Sequence, residues 1–309
     1  MKSTLIIGSR GSKLALWQAN HVKNKLSEFQ PNLDIRVEII KTTGDVRPDP
    51  LSTIGGQGVF TKELEDSLLK GDIDLAVHSL KDLPTVLPEQ LVIAAIGERE
   101  DPRDALVLPA NANVSIDSLK ALPHQTVVGT SSQRRAAQLK SLRHDVTIKD
   151  VRGNVDTRLR KLDEGEYDAL ILAAAGLTRL GLKGRISAYI STNEILPAVG
   201  QGALGIEVRA DDQMTAELVG RLNHRPTELA CLAERSLLKS LGGGCQLPFA
   251  AHATVEGPHL VMEALVAMPD GSRIIRDRIS GSPTRAEELG RDLATLLILQ
   301  GAQSILNAQ

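Results

Sequence analysis

One pattern constrains this chain more than any other, because it occurs twice. "LIIGSRGSKLALWQ" (residues 5–18) and "VVGTSSQRRAAQLK" (127–140) share a layout: an apolar strand, Gly followed by Ser or Thr, a small and basic turn, then a helix. "LLKGDIDLAV" (68–77) and "LDEGEYDALI" (162–171) also match: a helix end, Gly, then Asp opening a strand. Two copies of one strand–turn–helix unit point to two similar α/β lobes. Strands alternating with helices imply parallel βαβ sheets. Such sheets bind ligands at the carboxyl edge of their strands, so two lobes facing each other would form a cleft.

The elements follow from periodicity and punctuation. Strands are expected over 4–9, 34–42, 73–79, 126–132, 146–151 and 167–176. Helices are expected over 12–29 with Ser12 as N-cap, over 61–71 ended by Gly71, and over 133–143 and 156–165. "EREDPRDALVL" (98–108), charged and broken by Pro102, reads as a domain crossing. Past "EILPAVGQGALGIEVR" (194–209) and a helix over 212–223, the texture changes. A helix over 226–241 precedes a meander over 249–281 with turns at Glu256-Gly257 and Asp270-Gly271, and an amphipathic helix over 284–306 closes the chain. This is a smaller α+β domain.

Composition narrows the function classes. The chain has 309 residues, 42% hydrophobic and 24% charged, with a formal net charge of −2. That is ordinary soluble globular composition. It argues against a surface given over to nucleic acid or membrane, while leaving room for a local basic cleft. One Trp, two Tyr and three Phe are too few for base-stacking platforms. The longest apolar run, about "ALILAAAGL", falls short of the roughly 18 residues of a membrane helix. Arg10 cuts the N-terminal apolar stretch before it reaches signal-peptide length. Two cysteines make no disulfide framework, which fits a cytoplasmic compartment.

The turns are rich in cations. "GSRGS" offers Arg10 and Ser12; "GTSSQRR" offers Thr130, Ser131, Ser132, Arg134 and Arg135; "DVRGNVDTRLRK" offers Arg152 and Arg158. Helix N-terminal N–H groups, hydroxyls and guanidinium forks together favour carboxylates or phosphates. The bland alternative is capping residues and solvated charges, and three such turns weigh against it. Arg143 lies outside them and reads as a surface charge. "AVHSLKDLPT" sets Lys81 and Asp82 just past a buried strand, where Asp82 is either a catalytic carboxylate or part of a turn ending at Pro84. No Walker, dinucleotide, HExxH or G-x-S-x-G pattern occurs, and "GGQG" (55–58) reads as a flexible connection. Cys231 sits at an apolar helical position. Cys245, after Gly242, Gly243 and Gly244, packs nothing by pattern and is open to three readings: a loop thiol, a metal ligand or nucleophile, or an attachment point.

"LALWQA", "TTGD", "AVHSLKD", "EREDPRDA", "GTSSQRR", "RGNVDTRLRKLDEGEYDA", "AGLTRLG", "LPAVGQGALGIE" and "GGCQLP", in this order, resemble the hydroxymethylbilane synthase (porphobilinogen deaminase) family. The likeness runs from about Leu5 to Leu306. It implies two periplasmic-binding-protein-like lobes with mixed sheets plus a smaller α+β C-terminal domain. The expected ranges are 1–98 with 200–222, 103–196, and 225–309.

The resemblance also implies a transferase that joins four porphobilinogen molecules head to tail into a linear hydroxymethylbilane, losing ammonia at each step. It builds the product on a dipyrromethane cofactor held by a thioether to Cys245. Asp82 corresponds to the carboxylate that assists loss of the amine and stabilises the resulting azafulvenium cation. Lys81, Thr130, Ser132, Arg134 and Arg135 correspond to cofactor contacts, and Arg10, Ser12, Arg152, Arg158 and Arg179 to substrate contacts. No nicotinamide, flavin, metal, ATP, nucleic acid or membrane partner is implied, and the expected form is a cytoplasmic monomer. Thr53 and Gln57 replace two lysines common in the family, which bears on charge near the cofactor. A solute-binding module on the same two-lobe plan is the rival reading. It has no use for Asp82 or a tethering cysteine.

Overall fold

The computed structural model describes residues 4–42, 61–112, 116–242 and 248–307. Thr53, Gln57, the "GGQG" stretch and Cys245 lie outside the described residues. The chain divides into two compact units, Met1–Arg99 with Ala203–Cys231, and Glu100–Gly202 with Leu232–Gln309. The first boundary falls inside the charged segment read as a crossing. The last falls within a continuous helix, Arg225–Ser240.

The first unit begins with strand β1 (Thr4–Ser9), helix α1 (Lys13–Phe29) and strand β2 (Asp34–Ile39). Helix α2 (Lys62–Lys70), β3 (Leu75–Ser79) and β4 (Leu91–Ile96) follow. The second unit holds β5 (Asp104–Val107), β6 (Val127–Gly129), α3 (Gln133–Leu142), β7 (Thr147–Lys149), α4 (Val155–Asp163), β8 (Ala169–Ala173), α5 (Ala174–Arg179) and β9 (Ala188–Tyr189). The chain then returns to the first unit as β10 (Leu204–Arg209) and α6 (Gln213–Gly220), and α7 (Arg225–Ser240) leads out of it. Strands β11 (Phe249–Glu256), β12 (His259–Ala267) and β13 (Ile274–Gly281) and helices α8 (Ala286–Leu299) and α9 (Ala302–Leu306) complete the chain.

Among the described residues three sheets result, ordered β2-β1-β3-β10-β4, β7-β6-β8-β5-β9 and β11-β12-β13. The first two are mixed, not parallel as the alternation alone implies. β1 runs parallel to β2 and β3, and β6 parallel to β7 and β8. β10 is antiparallel to β3 and β4, and β5 antiparallel to β8 and β9. The reason is connectivity. A parallel neighbour requires a crossover helix, but β5 and β10 each enter their sheet on a segment arriving from the other unit. Both therefore start at the carboxyl edge: Leu204 pairs with Ser79 at the end of β3, and Asp104 with Ala173 at the end of β8.

Side-chain alternation builds the cores. Leu5, Ile7, Leu75, Val77, Ile206 and Val208 face Ala19, Val22 and Leu26 of α1. Leu106, Val128 and Ile171 face Leu139 of α3. Val107, Leu170 and Leu172 pack on the other side with Leu159 and Leu162 of α4.

The duplication holds at atomic detail. Ile6 N donates to the Asp74 carboxylate at 2.7 Å while Asp74 N donates to Ile6 O at 2.8 Å. Val127 N and Asp168 repeat the exchange at 2.7 and 2.9 Å. Gly71 and Gly165 end α2 and the turn after α4 at φ of 78° and 83°, a left-handed turn that favours glycine.

Two local expectations shift. The strand expected over 167–176 stops at Ala173, and the Ala-rich run coils into α5 once β8 loses its neighbour. Alanine's high helix propensity favours that outcome. The closing helix is broken at Gly301, φ 98°, into α8 and α9. Among the described residues no helix is long and apolar enough to cross a membrane.

A Cβ on Gly8 would overlap Ile73, and one on Gly129 would overlap Leu170 and reach Tyr167 Cδ1 at 2.8 Å. The Tyr167 ring is held by its hydroxyl, which donates to Asp150 O at 2.7 Å, whereas Ile73 can turn its terminal methyl. Gly129→Ala is expected to cost about 1–3 kcal/mol, and Gly8→Ala less. Urea unfolding of the two variants checks this. Equal, negligible losses would show that both sites have slack.

Candidate active site

In the second unit the predicted residues converge on a carboxylate the sequence does not advertise. Asp104, the first residue of β5, is fully buried. Arg134 Nη1 donates to its Oδ2 at 2.8 Å, and Arg135 donates to Oδ1 through Nη2 at 2.7 Å and Nε at 3.1 Å. Gln201 Nε2 adds a bond to Oδ1 at 2.9 Å. The remaining guanidinium contacts go to backbone, Arg134 to Leu196 O at 2.6 Å and Arg135 to Ile171 O at 3.1 Å. Both arginines lie in the first turn of α3, which Ser132 caps by accepting from Arg135 N. Thr130 is buried, and its hydroxyl accepts from Ser132 N at 3.2 Å.

The electrostatics are unequal by design of the counts: two guanidinium charges surround one carboxylate. Burial would raise the Asp104 carboxyl, but the charges and hydrogen bonds of Arg134 and Arg135 outweigh it and hold it well below the usual carboxylate range. The cluster keeps one surplus positive charge in a poorly solvated setting, where an anion is strongly favoured. Nearby in the chain, Arg179 Nη2 donates to Gly202 O at 2.6 Å, one residue after Gln201. Burial lowers its guanidinium to about 10, against the pull of Glu100, so it remains a cation at neutral pH.

The other predicted turns are joined to this edge. Ser131 Oγ donates to Val151 O at 2.8 Å and accepts from Val151 N at 3.0 Å, which sets the half-buried Arg152 beside the turn that opens α3. Arg158 Nε donates to Gly153 O at 2.7 Å, closing the first turn of α4.

The first unit carries the remaining residues. Ser12 caps α1 by accepting from Ala15 N at 3.3 Å, and Arg10 is half-buried just after β1. Lys81 and Asp82 lie in a short 3-10 turn, Leu80–Asp82, directly after β3, with Lys81 half-buried and Asp82 exposed. Because β1 and β3 are adjacent and parallel, both turns sit at one sheet edge. Gln18 Nε2 of α1 donates to Ser79 Oγ at 2.8 Å and ties them together. Beneath, His78 Nε2 lies 3.1 Å from Glu207 Oε2 in a buried pair.

Sequence reasoning missed Asp104, Gln201 and Glu207. Glu207 lies inside an apolar strand and Gln201 in a Gly-rich run, a burial signal that was available, whereas Asp104 follows the charged segment 98–103 and carries no such signal. Arg143 is a correction. Its guanidinium donates to the carbonyls of Leu119, Lys120, Leu122 and Pro123 and to Asp145, so it is a structural tie rather than a surface charge. Cys231 is fully buried in α7, as its helical position implies.

Asp104→Asn keeps the shape but leaves two guanidinium groups without their counter-charge. A loss of about 3–5 kcal/mol is expected, measured by urea or thermal unfolding at neutral pH. The folded carboxyl titrates below its unfolded value, so this stabilisation is fully present at neutral pH and fades progressively as the pH falls below the ordinary carboxylate range. A wild-type stability that falls already in mild acid, by as much as the variant loses, would contradict the assignment.

A family model described as porphobilinogen deaminase, dipyromethane cofactor binding domain, matches residues 5–217, and one for the porphobilinogen deaminase C-terminal domain matches residues 228–298. The porphobilinogen deaminase of Chlorobium phaeovibrioides is 51% identical over 99% of this chain and 98% of its own length. That of Syntrophomonas wolfei is 50% identical over 98% of this chain and 97% of its own. Among solved structures, substrate binding domain 2 of Lactococcus lactis GlnP in its open conformation is 15% identical, covers 71% of this chain and 88% of its own, and has a TM-score of 0.44. Two family models in series and half-identity along the whole chain leave one conclusion: the chain belongs to the porphobilinogen deaminase family.

Proposed function

We propose that this chain carries out the hydroxymethylbilane synthase reaction of tetrapyrrole biosynthesis. It joins four porphobilinogen molecules head to tail, releasing one ammonia at each addition, and water supplies the hydroxyl of the linear hydroxymethylbilane that is released. The observation that carries the reading is the pair of buried arginines sharing one carboxylate, inside the segment matched by the cofactor-binding family model. Each porphobilinogen carries two carboxylates, and a growing chain of them is strongly anionic. A surplus of buried positive charge at a capped helix N-terminus suits such a ligand.

The residues present fit a dipyrromethane group, which is itself anionic. Lys81, Thr130, Ser132, Arg134 and Arg135 would hold it, and Cys245 would carry it as a thioether. When bound, it supplies the free pyrrole carbon from which the chain grows. Arg10, Ser12, Arg152, Arg158 and Arg179 would hold substrate carboxylates. Asp82 assists protonation of the leaving amine and balances the positive charge left on the substrate's methylene carbon as ammonia departs. A new carbon–carbon bond then forms there, and the ring that supplies the nucleophilic carbon loses the proton from that carbon.

We read the chain as three domains, 1–98 with 200–222, 103–196, and 225–309. The three sheets support this, since each lies within one of these ranges. The protein would act as a cytoplasmic monomer, where a reducing environment keeps the Cys245 thiol available for attachment.

Two measurements test the proposal. Asp82→Asn is nearly isosteric but uncharged, so turnover should fall about 10²–10³-fold with the fold intact, while Asp82→Glu retains part of it. Near-normal turnover in Asp82→Asn would remove this carboxylate from the mechanism. Intact mass of the purified protein should exceed the sequence mass by one dipyrromethane, mapped to the peptide containing Cys245 and absent from Cys245→Ser. Cys231→Ser should keep both adduct and activity. An unmodified yet active Cys245 would overturn the tethering role.

A further inference from the structure

The segment between Leu196 and Gly202 is gripped at nearly every residue, and one grip comes from the element that leads to Cys245. Leu196 O accepts from Arg134 Nη1 at 2.6 Å and Leu196 N donates to Gln138 Oε1 at 2.7 Å. Pro197 O accepts from Ala251 N of β11 at 3.2 Å. Gln201 Nε2 donates to Asp104 Oδ1 at 2.9 Å and to Pro102 O at 2.7 Å, and Gly202 O takes Arg179. Between these, Gly200 N donates at 2.6 Å to Oε2 of Glu234, a fully buried residue on α7. The other carboxylate oxygen, Oε1, accepts from Ala253 N of β11 at 2.8 Å.

Glu234 thus holds two backbone groups on one rigid fork. α7 ends at Ser240, five residues before Cys245, and β11 starts at Phe249, four residues after it. The carboxylate locks these two flanks together and locks both to the segment that presents Gln201 to Asp104. A continuous path runs from Ala253 through Glu234, Gly200, Gln201 and Asp104 to Arg134 and Arg135. A buried carboxylate is costly to desolvate. What it provides here is a fixed distance, because a two-oxygen acceptor cannot slide as an apolar contact can.

We propose that Glu234 is a positioning residue for chain elongation, fixing the base of the Cys245 segment against the Asp104–Arg134–Arg135 cluster. This rests on the functional reading above. A tethered chain that grows from a fixed cysteine must meet the arginines in register at each addition, so an error at the base is carried into every step. Removal of Glu234 should spare cofactor loading and substrate affinity and slow the additions themselves.

The test compares Glu234→Gln, Gln201→Met and Leu293→Ala by steady-state kinetics, thermal unfolding and intact mass during turnover. Gln201→Met cuts the same path at its other end. Leu293 is fully buried in α8 and contributes no hydrogen bond to the path, and its truncation destabilises the same unit. All three should carry the adduct on Cys245. Glu234→Gln and Gln201→Met should lose about ten-fold or more in kcat with KM for porphobilinogen nearly unchanged. They should also accumulate partly elongated enzyme, seen as mass increments of one substrate residue. Leu293→Ala should lose stability but keep wild-type kcat and mass pattern, and Glu234→Asp should recover part of the rate. If Glu234→Gln does not fold, the kinetics and masses of Gln201→Met decide. Path variants whose kcat and mass ladder match Leu293→Ala would overturn the proposal. A wild-type protein with no adduct would overturn the functional reading and this proposal with it.

Discussion

In the second unit, the strand, helix and loop that carry the cationic cluster depend on one fully buried carboxylate. Asp104 accepts from Arg134, Arg135 and Gln201 at once, and in doing so joins the start of β5, the first turn of α3 and the segment that leads to β10. An unpaired carboxylate there would be prohibitively costly, and so would two unpaired guanidinium groups. Each makes the others tolerable, and the pairing fixes their geometry. The arithmetic of the pairing also matters. One acid for two bases leaves a net positive charge inside the framework, preorganised and shielded from water. Such charge favours an anionic group, which it can hold without reorganisation.

That arrangement depends on strand direction. Had β5 been the next parallel strand of a regular βαβ series, its first residue would lie at the amino edge, far from the turns that carry cations. Because β5 enters from the other unit and runs antiparallel, Asp104 lands opposite Ala173, at the carboxyl end of β8. The same logic brings Leu204 opposite Ser79 in the first unit. The duplicated fold supplies two similar edges, and the two crossing strands make them different. One edge holds a lysine and an exposed aspartate beside a capped helix. The other holds arginines buried around their own counter-ion.

Much of the scaffold was legible because its signals are local. Ser12 and Ser132 cap helices as their positions require, Gly71 and Gly165 adopt the left-handed turn, and the repeated Asp74 and Asp168 serve the same backbone exchange. The cationic turns were readable for the same reason: a helix start next to a hydroxyl and an arginine is a short-range pattern. Arg143 shows the limit. Nothing adjacent to it indicates that its guanidinium will collect four carbonyls from a loop some twenty residues earlier. The partners of Asp104 and Glu234 were equally hidden, since an acid in the sequence does not name the group that will compensate it.

The sequence by itself determined the two-lobe α/β plan, the third α+β domain, the helix caps, the cation-bearing turns, and, through motif resemblance, the family. These rest on periodicity, turn sterics and short ordered motifs, all expressed within a few residues. Only the tertiary structure decided the antiparallel direction of β5 and β10, the sharing of Asp104 by two arginines, and the fork of Glu234 between Gly200 and Ala253. These bonds join residues from 19 to 97 positions apart. Their formation is governed by burial, because a polar group removed from water must find a partner wherever the packed chain places one.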